Sequence, residues 1–169
     1  QARLWDPSRP GTIARAVREA GPQWILYCGP FSRGHWDVPE AVPPAGGEAA
    51  VCKALLQAAR RVEARLTVVS TDAVFTGPRM FHDEQSPPAS QHAFARGAIE
   101  VERAVEGSET LVVRTHAYGP SPRDEQSCFA EKAWLAVAEG LPWEADAQRH
   151  ATPIFTADLA ELLWLAFQR

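Results

Sequence analysis

The most constraining feature of the sequence is an apolar run that stops abruptly at two hydroxyls and a carboxylate. Residues 66–69 read Leu-Thr-Val-Val, and Ser70, Thr71 and Asp72 follow directly. A short run of β-favouring residues bounded by polar and glycine signals predicts a buried strand. In an open α/β sheet, the residues just past the carboxyl end of a strand face the ligand. Ser70, Thr71 and Asp72 are therefore predicted site residues; the alternative is that they only end the strand and cap the next turn.

Helix and strand patterns alternate along the rest of the chain. Apolar residues at helical spacing predict helices over 12–20, 48–62, 91–106 and 127–139, and a last helix from 156. Apolar runs predict two further strands, over 24–28 and 110–114. This alternation implies an α/β fold with parallel strands joined by right-handed crossovers. We therefore expect the strand ends at Cys28, Ser70 and Arg114 to lie along one edge of the sheet, which would be the site.

The last two helices carry specific packing predictions. Phe129, Ala133 and Val137 are expected to face inward in the first of them, with Gly140 just past its end. In the last helix, Thr156 is the expected N-cap. Its expected inward-facing residues are Leu159, Leu162, Leu163, Ala166 and Phe167.

Composition limits the class of protein. A chain of 169 residues is long enough for one domain with a sizeable core. The formal net charge is −4 and no Lys/Arg cluster stands out, which argues against nucleic acid as a partner. Three cysteines without a Cys-x-x-Cys pair suggest reduced thiols and a cytoplasmic location. No secretory signal or membrane-spanning apolar run is present, so we expect no membrane association.

Two loops are candidates for ligand binding. The connection over 29–47 is rich in proline and glycine, and connections of this length are often functional. The loop over 77–90 contains His82, Asp83 and Glu84, all of which can bind metal ions. Because consecutive loop residues rarely converge on one ion, we predict a solvated acidic turn and no metal site.

Several stretches carry a resemblance to a known family. The stretch over 68–77 reads Val-Val-Ser-Thr-Asp-Ala-Val-Phe-Thr-Gly, and further matching stretches lie in order at 6–7, 82–88, 113–119 and 151–160. This order resembles the extended short-chain dehydrogenase/reductases, most closely the dTDP-4-dehydrorhamnose reductase family. The resemblance implies a Rossmann-like parallel sheet with flanking helices, forming a single partial reductase domain over 1–169. It also implies a nucleotide-sugar substrate and NAD or NADP as cofactor.

The resemblance implies a catalytic centre that is incomplete here. In such enzymes a hydroxyl at the position of Thr71 binds the substrate carbonyl. A tyrosine on the next helix donates the proton, and a lysine four residues later lowers the pKa of that tyrosine and holds the nicotinamide ribose. Phe94 and Ala98 occupy those two positions. His92 and Arg96 lie nearby but not on the same helical face, so we expect weak or no catalysis.

The resemblance also implies binding residues at the strand ends. Those expected at the cofactor are Cys28, Gly29, Pro30 and Ser70. Those expected at the substrate are Asp72, Thr115, His116 and Tyr118. A glycine-rich strand-turn-helix for the pyrophosphate is implied ahead of residue 1, and the sequence as given lacks it. Either that unit has been lost or the sequence is incomplete.

Three site residues have structural alternatives. Arg114 is expected to bind a carboxylate or a backbone carbonyl within the fold. His116 is expected to be packed or hydrogen-bonded more readily than catalytic, and Tyr118 precedes Gly-Pro and could anchor a turn.

Two functions therefore stay open. The first is a reductase-like protein of nucleotide-sugar metabolism with weak or no catalytic activity, that is, a pseudoenzyme. The second is a non-catalytic binding or regulatory subunit that uses the fold as an interaction surface, as a homo-oligomer or with a protein partner. Six tryptophans, among them Trp36 and Trp143, would suit exposed interface anchors as well as core packing.

Overall fold

The computed structural model describes residues 10–33, 47–75, 81–120, 128–143 and 151–169. Five helices occur in these ranges: α1 (Pro10–Ala20), α2 (Gly47–Arg61), α3 (Ala93–Val105), α4 (Phe129–Glu139) and α5 (Thr156–Gln168). The strands are β1 (Trp24–Tyr27), β2 (Arg65–Thr71), β3 (Leu111–Tyr118) and β4 (Pro153–Phe155). Predictions for Asp6-Pro7, Trp36, Thr76 and Gly77, and for most of the connection over 29–47, lie outside the described residues.

The four strands form one parallel sheet in the order β1-β2-β3-β4. Tyr27 pairs with Val68, and Thr71 pairs with Thr115. The predicted α/β architecture with parallel strands and flanking helices is confirmed. β2 is the central apolar strand, and all its residues except Arg65 are buried.

The two faces of the sheet are covered differently. α1, α2 and α3 pack side by side, and the larger core lies between them and the sheet. On the opposite face, Leu159 and Leu163 of α5 pack on Val69. Trp24 joins this smaller core, since its Nε1 donates to Thr67 Oγ1 at 3.0 Å and its ring stacks on Phe167.

β3 is longer than predicted. It continues past Arg114 to Tyr118, because β4 supplies a second hydrogen-bonding neighbour that begins where His116 pairs with Pro153. β4 itself was not predicted. Thr115 and His116 therefore lie within a strand and not after its end.

The helix-packing predictions for α4 and α5 are partly wrong. In α4 the buried residue is Ala136, whereas Val137 is 79% exposed. In α5 the apolar residues extend beyond the face that packs on the sheet. Leu159 and Leu163 are buried on that face, whereas Leu162 and Ala166 are exposed. Thr156 is the first helical residue and Phe155 takes the N-cap position. Gly140 ends α4 in the left-handed conformation, as expected from a glycine at that place.

Candidate active site

Thr71 ends β2 and is fully buried. Its Oγ1 accepts a hydrogen bond from the Ala73 backbone N–H at 3.2 Å, which caps a 3₁₀ turn over Asp72–Val74. The hydroxyl therefore caps the turn after β2, which is the alternative role considered for this stretch. Because Thr71 has no exposed surface, a substrate carbonyl could bind its hydroxyl only if the residues that cover it moved.

Ser70 belongs to a buried polar cluster that ties β2 to α3 and β3. Its Oγ donates to Glu102 Oε1 at 2.6 Å. The Arg114 guanidinium forms a forked ion pair with the same carboxylate, with its closest nitrogen 2.8 Å from Oε2. Arg114 also reaches the Ser86 carbonyl and lies over the Phe75 ring. The prediction that Arg114 binds a carboxylate or a carbonyl inside the fold is confirmed for both partners.

Asp72 and His116 lie together at the start of β4. Asp72 Oδ2 accepts from the Thr152 backbone N–H at 2.9 Å, and its Oδ1 lies 3.7 Å from His116 Nδ1. The His116 ring is fully buried. The two predicted substrate residues therefore lie side by side, the imidazole buried and the carboxylate half-buried, and Asp72 ties the end of β2 to the segment entering β4.

The α3 face that should carry a tyrosine and a lysine is apolar and closed. Phe94 and Ala98 are both buried in the larger core. Phe31 packs edge-to-face on Phe94, with 5.2 Å between the ring centroids. A Cβ placed on Gly97 would collide with Phe31 Cζ, so this ring rests directly on the helix backbone. His92 and Arg96 are exposed, which keeps both off this face.

A cavity of about 570 Å³ opens on the other face of the sheet, beside α5. Most of its lining is apolar, and the polar residues Ser32, Arg33 and Tyr118 lie toward the carboxyl ends of the strands. Of the predicted site residues, Cys28 and Tyr118 line this cavity. Thr71, Asp72 and His116 do not. The lining also includes Trp24, Leu26, Ser32, Arg33 and Trp164.

The segment after β1 brings Gly29 and Pro30 to the same edge. The Tyr27 ring occupies the space where a Gly29 Cβ would stand, and the Tyr27 hydroxyl donates to the Glu48 carboxylate. Burial raises the pKa of Glu48 and of the Cys28 thiol. Burial raises the pKa of Cys52 to about 12, with a smaller contribution from Glu48. The two thiols are therefore poorly suited to act as nucleophiles at neutral pH.

Two residues that shape this edge were not singled out from the sequence. Glu102 follows Ala98 by four positions on the same helical face, so its spacing could have indicated a buried partner for a strand residue. Phe31 lies in a Pro/Gly-rich loop, where no periodicity predicts which side chain is buried.

Within the described ranges, no three His, Cys, Asp or Glu side chains are grouped as a metal site would need. His82, one of the metal-capable residues of the loop over 77–90, stacks on Phe75. None of the helices seen in these ranges combines the length and the apolarity needed to span a bilayer.

The fold has clear relatives among solved structures. The dTDP-4-dehydrorhamnose reductase from Bacillus anthracis str. Ames, in complex with NADP, matches with a TM-score of 0.71 and 22% identity, over 98% of this chain and 59% of that one. The Clostridium acetobutylicum dTDP-4-dehydrorhamnose reductase matches with a TM-score of 0.68 and 22% identity, over 96% and 58%. The Bordetella bronchiseptica enzyme WbmG, in complex with NAD and UDP, gives 0.75 and 14% identity, over 99% and 53%.

The chain thus spans somewhat more than half the length of these solved relatives. No curated protein sequence gives a significant match. A family model described as RmlD substrate binding domain matches residues 1–169, the whole chain. The parallel sheet, the order of its elements and this match agree: the chain belongs to the RmlD substrate-binding domain family.

Proposed function

We propose that this chain is a dTDP-4-dehydrorhamnose reductase-like protein of NAD(P)-linked sugar-nucleotide metabolism, with weak or no catalytic activity. The family match and the fold support the first part. The second part rests on one observation: the helix face opposite Thr71 presents the buried pair Phe94 and Ala98, packed under Phe31.

The chemical consequence follows from the side chains. Reduction of a ketone needs a proton donor at the carbonyl oxygen, and a phenyl ring has no proton to give. General acid–base catalysis contributes a factor of about 10²–10⁴, so ordinary turnover is not expected without it. His92 and Arg96 point away from this face and do not replace the missing groups.

Cofactor binding is weakened by the same change. NADP and NAD are bound in the B. anthracis and B. bronchiseptica structures. A nicotinamide cofactor would supply the hydride, and in this chain Cys28, Gly29 and Pro30 stand at the edge where it would be held. Ala98 is fully buried and offers no ammonium to a ribose. Ser70 already donates its hydroxyl proton to Glu102. We therefore propose NADP or NAD as the family-level cofactor and expect its affinity here to be low.

The test is NADPH oxidation with a 4-keto sugar nucleotide, followed at 340 nm, a wavelength at which the reduced cofactor absorbs. We expect no turnover above a protein-free control. Turnover in the wild-type protein that disappears in Thr71→Ala would overturn the proposal, because it would show that the hydroxyl works without the tyrosine and lysine.

A second function, a non-catalytic binding or regulatory subunit, is favoured by exposed apolar side chains. Trp134 on α4 is 75% exposed and Trp164 on α5 is 51% exposed. Tryptophan is enriched at interface hot spots. Size measurement in solution together with NADPH titration separates the two: dimerisation without binding favours the subunit, and binding without dimerisation favours the reductase relic. For either function we propose a cytoplasmic location, because Cys28, Cys52 and Cys128 are all free thiols and disulfides are rare in that compartment.

A further inference from the structure

The chain crosses over the carboxyl end of β2 immediately after β1. It leaves β1 at Tyr27, and Arg33 then forms a parallel bridge with Ala117 of β3. Because β2 lies between β1 and β3 in the sheet, the residues between must pass over the end of β2. We call Gly29–Arg33 the crossing segment. It packs against β2, β3 and α3, and it lies over the strand end that carries Ser70 and Thr71.

Phe31 fastens the crossing segment to α3. Its ring is buried, edge-to-face on Phe94 and directly on the Gly97 backbone. Any side chain at position 97 would occupy the volume of that ring. We call this volume the Gly97 notch.

The segment is also ordered by its own hydrogen bonds. The Ser32 N–H and the Ser32 hydroxyl both donate to the Gly29 carbonyl, at 3.0 and 2.8 Å, which closes a 3₁₀ turn over Pro30–Ser32. The turn brings Phe31 toward α3, while Ser32 and Arg33 line the cavity on the opposite face. The crossing segment thus lies between α3 and this cavity, over the strand end that carries Thr71.

We propose that Phe31 controls access to Thr71. The crossing segment closes the end of β2 while Phe31 occupies the Gly97 notch, and a ligand reaches the Thr71 hydroxyl only after Phe31 leaves it. This inference rests on the proposed function in one respect, since it takes Thr71 as the hydroxyl that a substrate carbonyl would meet. It adds the residue that determines whether a substrate can arrive.

The experiment measures the exposure of position 71 by chemical labelling. A Cys28→Ser, Cys128→Ser background removes the exposed thiol and the thiol at the start of α4, while Cys52 stays because it is fully buried with a pKa of about 12. Thr71→Cys then reports access through its rate of alkylation by iodoacetamide. We expect slow labelling with Phe31 present. With Phe31→Ala we expect labelling faster by about tenfold or more, because truncation of a buried phenylalanine removes the packing that holds the segment closed.

A second variant tests the notch without removing the ring. Gly97→Ala places a methyl group where the Phe31 ring lies, so the ring must leave the notch. The same rise in labelling is expected. Leu55→Ala is the matched control, because it truncates a buried residue of the same core on α2 and should leave the labelling rate at position 71 close to that of the background.

The outcomes are distinct. Equal labelling of position 71 with and without Phe31, or an equal acceleration by Leu55→Ala, would overturn the proposal. Labelling uses neither cofactor nor sugar nucleotide, so an absence of reductase activity does not affect it. Conversely, reductase turnover in the wild-type protein would contradict the proposed function and leave the labelling comparison valid.

Discussion

At the scale of single residues, the edge of the sheet is held by polar side chains that bind each other. Ser70, Glu102 and Arg114 form one cluster, and Asp72 lies beside His116 and accepts from the Thr152 N–H. The Ser70 hydroxyl and the Asp72 carboxylate of the family motif therefore have structural partners. What the family motif preserves in this chain is a set of contacts between β2, β3 and α3.

The Arg114–Glu102 ion pair gives the first prediction. Arg114→Met removes the guanidinium and leaves the Glu102 carboxylate with the Ser70 hydroxyl alone. Breaking a buried pair in this way costs about 3–5 kcal/mol of unfolding free energy. The measurement is urea unfolding at pH 7, with Arg15→Met as control. Arg15 pairs with Glu19 on the exposed surface of α1, and that pair contributes about 0.3–0.5 kcal/mol. Equal losses in the two variants would contradict the assignment.

Glu48 gives a prediction about pH. Burial raises its pKa in the folded protein above the ordinary value of 4.5. The folded state then binds the proton more tightly than the unfolded chain, so this group lowers stability as the pH rises above about 4.5, the ordinary value, toward its folded pKa. Glu48→Gln keeps an acceptor for the Tyr27 hydroxyl and removes the titration.

We therefore expect Glu48→Gln to gain stability relative to the wild-type protein between pH 4 and pH 7 in urea unfolding. Glu63→Gln serves as the control, since Glu63 is an exposed glutamate. A difference between Glu48→Gln and wild type that is the same at both pH values would contradict the role of burial.

At the scale of elements, α5 covers the second face of the sheet through a narrow stripe. Leu163 is buried against the sheet, whereas Leu162 is 55% exposed. Leu163→Ala should therefore cost about 2–5 kcal/mol of unfolding free energy, and Leu162→Ala should change it by less than about 0.5 kcal/mol. Thermal or urea unfolding of the two variants checks this. A large loss in Leu162→Ala would mean that residue 162 is covered in solution, for example by a second copy of the chain.

The same elements show what the sequence could predict. The helices and the three longer strands follow from apolar periodicity, and parallel pairing follows from their alternation. β4 has only three residues and begins at Pro153, so its apolar run is too short to predict a strand. Without β4, nothing in the sequence indicates that β3 continues to Tyr118. The orientation of α4 and α5 also escaped prediction, since both are apolar on more than one side and periodicity then selects no single face.

The sequence predicts which strands are neighbours in the sheet, but not the contacts that their side chains make. The order of the elements predicts that the strand ends at Cys28, Ser70 and Arg114 lie along one edge of the sheet. Ser70 does pair with Arg114, but β3 continues to Tyr118, so Arg114 lies inside the strand and not at its end. That Ser70 is bound by Glu102 and that Phe31 rests on Gly97 depends on distances between segments far apart in the chain. Residue spacing along the sequence does not contain those distances.

At the scale of the whole molecule, the chain keeps the family fold, and we propose that packing fills the place of the family's reaction centre. Phe31, Phe94 and Ala98 lie together in the larger core, and the cavity beside α5 lies on the other face of the sheet. We therefore expect Phe94→Tyr/Ala98→Lys to produce no active reductase, because the lysine would be buried without a partner in the larger core and would destabilise it. NADPH oxidation and unfolding of the double variant check this. A double variant that folds stably and turns over would contradict the closed packing of this face.

We propose that the chain keeps the fold of the RmlD substrate-binding domain family and lacks the proton-transfer chemistry of a reductase. This claim is tested most directly by NADPH oxidation with a 4-keto sugar nucleotide under single-turnover conditions, with the wild-type protein in excess and the B. anthracis reductase alongside as the positive control. The predicted result is complete oxidation by the reductase and none by this chain on the same timescale. Oxidation of NADPH by the wild-type chain that is abolished in Thr71→Ala would contradict the claim.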